Sequence, residues 1–287
     1  MAQFGRALGS GPRGRWFESS HFDQKIKVTF TCDFYFVSEV VMKITFLGTS
    51  YGAPSVGRRQ QSVLVETENS DACIFDAGAP ITDVLVNMGY DFSRIKAVFI
   101  SHLHGDHMNG INDLINLCEF LNARFTVYLP EKRGVEALTA YTEMQLDGRA
   151  CDRVCFREYS SGVVYLENGC RITAYPTAHM EKAGRPSYGF MAEADQSSVY
   201  ITGDLHPTLK DIPDVLNSVH TDMIVTECAH FAPSELYGRL DACNTDRVAF
   251  VHVMPPERYN ELKALQNDRS FSSLFPNDGD AIEFFKK

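Results

Sequence analysis

Ser101-His102-Leu103-His104-Gly105-Asp106-His107 gathers three imidazoles and a carboxylate on one short stretch. It continues directly from residues 97–101, an apolar run that reads as a buried strand. In extended chain, residues i and i+2 point the same way, so His102 and His104 can grip one ion. Gly105 lets the backbone turn sharply, and Asp106 and His107 can then leave in another direction to hold a second. Neutral imidazole and carboxylate are the forms that bind a divalent cation. A single His is usually an ordinary polar residue. Three of them with an Asp on one loop read as a metal site.

Outward from this loop, the chain reads as strands first and then strands mixed with helices. Residues 42–47, 62–67 and 72–76 carry β-branched and aromatic side chains between turn signals at Gly57 and Asn69-Ser70-Asp71. Pro80 starts a helix over 81–88. Helices are expected at 110–121, 134–146, 234–240 and 259–265. Further strands are expected at 163–166, 171–175, 188–192, 198–202, 223–226, 248–253 and 281–284. No repeat of fixed period is present. Strands and helices in both halves predict packed sheets with helices outside, an α/β (α+β) fold.

The 287 residues are 44% hydrophobic and 22% charged, with a net charge of −10. That charge argues against a long nucleic acid as partner, although a local basic pocket stays open. None of the eight cysteines forms a CxxC pair. Their scatter predicts buried free thiols in a reducing compartment, the cytoplasm. No run is long and apolar enough for a membrane span, and no small-residue cleavage site follows residues 28–41.

Residues 1–41 differ from the rest. Trp16-Phe17-Glu18-Ser19 can be encoded by TGG-TTC-GAA-TCC, which resembles the T-arm of a tRNA gene. Residues 2–7 can likewise encode a D-arm, and residues 21–24 an acceptor end. The expectation is a non-native or disordered extension over 1–41 that packs against nothing, followed by a hydrolase domain over 42–287.

His102-x-His104-x-Asp106-His107 resembles the signature of the metallo-β-lactamase superfamily of metallo-hydrolases. The resemblance runs from Met42 to about Phe284 and implies a four-layer αββα sandwich. It also implies three further ligands from distant segments. Tyr175-Pro176-Thr177-Ala178-His179 looks like the segment carrying the third His of the first site. Tyr200-Ile201-Thr202-Gly203-Asp204 looks like the strand-end bridging Asp, and 248–252 like a strand ending in the last ligand, His252. Asp76-Ala77-Gly78 resembles the family's structural Asp-x-Gly element. The implied cofactor is two divalent ions. Zinc is the default, and manganese or iron suits the same nitrogen and oxygen donors. The implied chemistry is attack by a metal-activated hydroxide.

Within the superfamily, Phe46-Leu47-Gly48-Thr49-Ser50-x-Gly52-x-Pro54 resembles the tRNase Z and phosphodiesterase branch. Ser50 with Arg58 and Arg59 is the expected phosphate contact. Thr226-Glu227-Cys228-Ala229 falls where tRNase Z has His-Glu-Ala-Thr. Glu227 matches, Thr226 stands at the catalytic His position, and His230 can substitute as proton donor. His206 reads as a surface or supporting residue. Asp106, Glu227 and His230 are the expected catalytic residues. Between residues 129 and 179 there is no Gly/Pro-rich tRNA-grasping arm, so a small phosphodiester is the expected substrate. The rivals are an ester, thioester or lactone hydrolase, a tRNase Z-like ribonuclease, and a non-catalytic interaction module. The oligomeric state is left open, a homodimer included.

Overall fold

Alternation along the strands builds the core. Val63 and Val65 face one way and Leu64 the other, as do Cys73 and Phe75 against Ile74, and Ala97 and Phe99 against Val98. A computed structural model describes residues 39–69, 71–121, 123–145 and 152–286.

The first half runs β1 (Val40–Gly48), β2 (Ser62–Thr67), β3 (Ala72–Phe75), α1 (Ile81–Asn87), β4 (Ile95–Phe99), α2 (Gly105–Met108), α3 (Ile111–Leu121), β5 (Phe125–Leu129), α4 (Lys132–Gln145) and β6 (Val154–Glu158). The second half runs β7 (Gly162–Glu167), β8 (Cys170–Thr177), β9 (Ser187–Ala194), β10 (Ser197–Ile201), α5 (Val215–Ser218), β11 (Met223–Cys228), α6 (Pro233–Leu240), β12 (Arg247–Val253), α7 (Arg258–Leu265), β13 (Ser272–Leu274) and β14 (Ala281–Phe285). One seven-stranded sheet has the order β14-β1-β2-β3-β4-β5-β6, and the other β13-β12-β11-β10-β9-β8-β7. Each is antiparallel at one side and parallel at the other. The change comes at β3/β4 in the first and at β10/β11 in the second.

Three apolar clusters fill the layers. One, with Phe75, Phe99, Phe190 and Val225, joins inner faces of both sheets. A second packs the first sheet on α1, α3 and α4 through Leu85, Leu114 and Leu138. The third packs the second sheet on α6 and α7 through Leu236 and Leu262. The result is the expected four-layer αββα sandwich. Among the described residues, no helix is long and apolar enough to cross a membrane.

Several expectations need correction. The first strand begins at Val40, where pairing with Phe285 extends the ladder, and Val41 is 2% exposed in the core. Residues 40 and 41 therefore belong to the folded unit and do pack; residues 1–38 lie outside the described residues. Strands β5, β6 and β13 and helix α5 were not expected. β5 alternates like its neighbours, with Phe125, Val127 and Leu129 in one cluster and Tyr128 in the other, whereas β6 is a mostly exposed strand at a sheet edge. Cys155 is exposed on that edge strand, against the expectation of burial; Cys32 and Cys151 lie outside the described residues.

Candidate metal centre

Strand ends of both sheets meet at one place. Beyond β4, the loop to α2 carries His102 and His104, and α2 itself carries Asp106 and His107. His179 follows β8, Asp204 follows β10, Glu227 lies near the end of β11, and His252 is the next-to-last residue of β12. Two donor clusters result. His102, His104, His179 and Asp204 converge within 4.8 Å of one another, as do Asp106, His107 and His252. Asp204 Oδ2 lies 3.8 Å from His102 Nε2, while its Oδ1 lies 3.3 Å from His107 Nε2, so one carboxylate reaches both clusters.

Backbone conformation aims these groups. His252 has φ +48° and Asp76 φ +57°, left-handed values uncommon outside glycine. Gly203, at φ +58°, precedes Asp204, and a Cβ there would come within 2.7 Å of the Tyr188 carbonyl oxygen. Gly78 has no room either: a Cβ would stand 2.5 Å from the Asp106 carbonyl oxygen. That explains the Asp-x-Gly element, in which Gly78 lets the strand end approach the donor loop.

Asp76 orients the first-half imidazoles. It accepts from His107 Nδ1 at 2.7 Å, from the Ser101 backbone N–H at 2.7 Å and from the Ser101 hydroxyl at 3.0 Å. The same hydroxyl can then accept from His102 Nδ1, 3.0 Å away. Both rings thereby present Nε2 to the centre.

A buried arrangement of this kind makes sense around cations. His107 Nε2, His252 Nδ1 and Asp204 Oδ1 are buried with no hydrogen-bond partner. His102 Nε2 faces His104 Nδ1 at 2.9 Å, and His179 Nε2 faces that same nitrogen at 3.3 Å. Imidazole nitrogens directed at one another call for a shared cation. Burial and the charge of neighbouring histidines hold His102 well below the usual imidazole range, and burial also lowers His104 and His179. Those lone pairs are available to a metal. Burial would raise Asp204, but His252, His107 and His102 keep it well below the usual carboxylate range. The donor set therefore fits divalent metal ions.

His230 stands at the rim. Its Nδ1 is 2.7 Å from Glu227 Oε1, and its Nε2 is 4.0 Å from Asp204 Oδ2. Glu227 is itself fixed by the backbone N–H groups of Leu205 and Ala229, at 2.8 and 2.7 Å. Thr226 is buried, with its hydroxyl turned to a backbone carbonyl. His206 sits apart: Thr208 N–H donates to its Nδ1, and its Nε2 faces Glu181 at 3.9 Å.

The expected phosphate contacts are engaged elsewhere. Ser50 is buried and donates to the Ala53 carbonyl. Arg58 donates to Thr49, to the Pro276 carbonyl and to Asn277, and lies over the Tyr259 ring. Arg59 pairs with Asp83 and with Asp278. Both arginines thus fasten the loop after β1 to other parts of the chain. Sequence reasoning missed Asp211, whose Oδ2 accepts the N–H groups of Ala178 and His206 and so ties the His179 loop to the Asp204 loop. A carboxylate that binds backbone leaves no pattern in its partners' identities. Also missed was Arg185, held by Glu131 beside the first cluster. Its charge contributes, after burial, to lowering His104.

The fold and the two donor clusters place the chain in the metallo-β-lactamase superfamily of metallo-hydrolases. More narrowly, it belongs to the family described as Anti-Pycsar protein Apyc1, matched over residues 42–247. It is also 28% identical to Ribonuclease Z of Anoxybacillus flavithermus over 168 residues, 57% of this chain and 52% of that one. Ribonuclease Z of Listeria monocytogenes serovar 1/2a is 29% identical over 154 residues, 52% and 48% of the two chains. The chain thus spans about half the length of these curated relatives. Among solved structures, YhfI of Bacillus subtilis superposes with a TM-score of 0.67 at 17% identity, covering 85% of this chain and 99% of that one. Human tRNase Z, short form, gives 0.66 at 18%, covering 84% and 98%. A diphosphatase of the PhnP family gives 0.63 at 19%, covering 85% and 98%. These likenesses show the fold.

Proposed function

We propose that the chain is a hydrolase of small phosphodiesters that works with two divalent metal ions. The observation that carries this reading is the Glu227–His230 pair, 2.7 Å apart, at the rim of the donor clusters. His102, His104 and His179 would hold one ion, Asp106, His107 and His252 the other, and Asp204 would serve both. Bound there, the ions supply Lewis-acid stabilisation of a phosphoryl group and lower the pKa of a water toward neutrality.

The chain's own groups supply the rest. Glu227 accepts from Nδ1 and fixes the ring so that Nε2 faces the centre. Burial works against the charge of His230, but the Glu227 hydrogen bond and charge, with Asp204, push it up to about 9. Protonated at Nε2, the side chain would donate to the departing oxygen. Asp76 keeps His107 turned inward without entering the reaction itself.

A ribonuclease reading rests on one observation, the identity with the Ribonuclease Z chains. The acidic total and the short span from residue 129 to 179 weigh toward the small substrate. Hydrolysis of bis(p-nitrophenyl) phosphate, compared with a thioester, a lactone and a precursor tRNA, tests the reading. Phosphodiester cleavage abolished by chelator and restored by zinc or manganese is expected. Cleavage of lactone or thioester alone would overturn the phosphodiester assignment, and efficient processing of precursor tRNA would favour the ribonuclease.

A further inference from the structure

Cys73 and Cys170 meet across the sandwich. Cys73 lies in β3 of the first sheet and Cys170 opens β8 of the second, and both belong to the apolar cluster between the sheets. Their thiols are hydrogen-bonded to one another. The turns just outside the pair are also joined. Asn69 Nδ2 donates to the Asn168 carbonyl at 3.1 Å, and Asn168 Nδ2 donates to Asp71 Oδ2. This junction closes the end of the sandwich away from the metal centre, since β3 runs on to Asp76 and β8 to His179. The other buried cysteines are engaged differently: Cys118, Cys228 and Cys243 each donate to a backbone carbonyl.

We propose that Cys73 and Cys170 form an oxidation site, at which hydrogen peroxide converts the two thiols into a disulfide joining the two sheets. The Cys170 sulfur attacks one peroxide oxygen, the O–O bond breaks, the departing oxygen leaves as water, and Cys170 becomes a sulfenic acid. The Cys73 sulfur then attacks the Cys170 sulfur, the S–O bond breaks, and the hydroxyl leaves with the Cys73 proton as a second water. Two thiols lose two electrons and two protons, and one peroxide takes them up. The hydrogen bond sets this order. The Cys73 thiol donates to Cys170 and holds it below the usual thiol range against the effect of burial, while the same bond and burial keep Cys73 well above it. Cys170 is therefore the thiol that supplies the thiolate, the nucleophilic form. Sulfurs in hydrogen-bonding contact need to approach by only about 2 Å to reach bonding distance. Cys73 is 4% and Cys170 3% exposed, so a small peroxide suits the site better than a bulky disulfide reagent.

The test is peroxide treatment of the reduced whole chain, removal of the peroxide, unfolding in excess N-ethylmaleimide, and tryptic mapping without reductant. Cleavage after Lys and Arg places Cys73 in residues 60–94 and Cys170 in residues 158–171, with no other cysteine in either peptide. Untreated protein should be alkylated at both positions. After peroxide, alkylation at both should be lost, and the two peptides should appear linked and separate again with dithiothreitol. Cys73→Ala should give no linked peptide, and its Cys170 should carry a sulfenic acid that dimedone traps. Exposed Cys155 reports that the peroxide has acted. Oxidised Cys155 in a chain whose Cys73 and Cys170 are still fully alkylated would overturn the proposal, whether or not the variant folds. A link from either residue to a different cysteine would overturn it equally.

Discussion

The two halves of the molecule have related sheets but furnish the centre in opposite ways. The first half delivers His102, His104, Asp106 and His107 from the single connection after β4. The second half delivers His179, Asp204 and His252 singly, after β8, β10 and at the end of β12. One half concentrates its donors locally, so their geometry depends on a short loop and on Asp76 behind it. The other relies on sheet order to bring separate strand ends together. A change in the loop should perturb donors as a group, whereas a change at a second-half strand end should remove one donor alone. Asp204 is the exception, because it reaches both clusters.

The largest effect should come from that exception. Asp204→Ala should abolish turnover and leave less than one metal per chain, while His179→Ala should disturb the first cluster alone. Elemental analysis of both variants beside their rates checks this. Full metal content and near-normal rates in Asp204→Ala would remove it from the bridging position.

Next comes His230→Ala, which should lower turnover by about 10²–10⁴-fold with metal content unchanged. The loss should be smaller for p-nitrophenolate, a leaving group that scarcely needs a proton. Equal losses for activated and unactivated substrates would take His230 out of the reaction.

The same contrast governs what could be read beforehand. His102 to His107 declare themselves because donor spacing and backbone period lie within one stretch. His179, Asp204 and His252 carry no local signature; each is one polar residue after an apolar strand, and only the family resemblance singled them out. Packed sheets with helices outside were legible from the order of strands and helices, and the four-layer αββα arrangement came from the family resemblance. β5 went unnoticed although it is as buried as β4 and alternates in the same way. The partners of Arg58 and Arg59 were not legible because they lie far along the chain. Arg59 meets Asp83 at a separation of 24 residues and Asp278 at 219. Glu227 and His230, three residues apart, were within reach of sequence reasoning.

A smaller effect should follow from loosening the support behind the local motif. Asp76→Asn keeps the shape but weakens the hold on His107 Nδ1 and Ser101. Metal affinity should fall by about 10–100-fold, as for other partners of metal-bound imidazole. Competition with a chromophoric chelator measures it. An unchanged affinity would mean that the loop holds its geometry without Asp76, and the contrast between the halves would lose its basis.

The smallest effect belongs to Arg59→Ala. Its pair with Asp83 is partly exposed on both sides, and such pairs contribute about 0–1 kcal/mol. Asp278 is the more buried partner, but it does not depend on the Arg59 guanidinium. It also accepts from the Thr49 backbone N–H at 2.9 Å, the Thr49 hydroxyl at 2.7 Å and the Arg59 backbone N–H at 2.6 Å, all of which survive the substitution. The Thr49 carbonyl in turn accepts from the His252 N–H, so the connection from the C-terminal segment to the second cluster stays intact. KM for a small phosphodiester should therefore change by less than about threefold, and stability by no more than about 1 kcal/mol. Asp278→Ala removes the acceptor that all three groups share, and should cost more in stability and in metal retention. Steady-state kinetics and thermal melts of the two variants compare them directly. A large rise in KM for Arg59→Ala with unchanged stability would return Arg59 to the substrate site and make the loop after β1 part of the recognition surface.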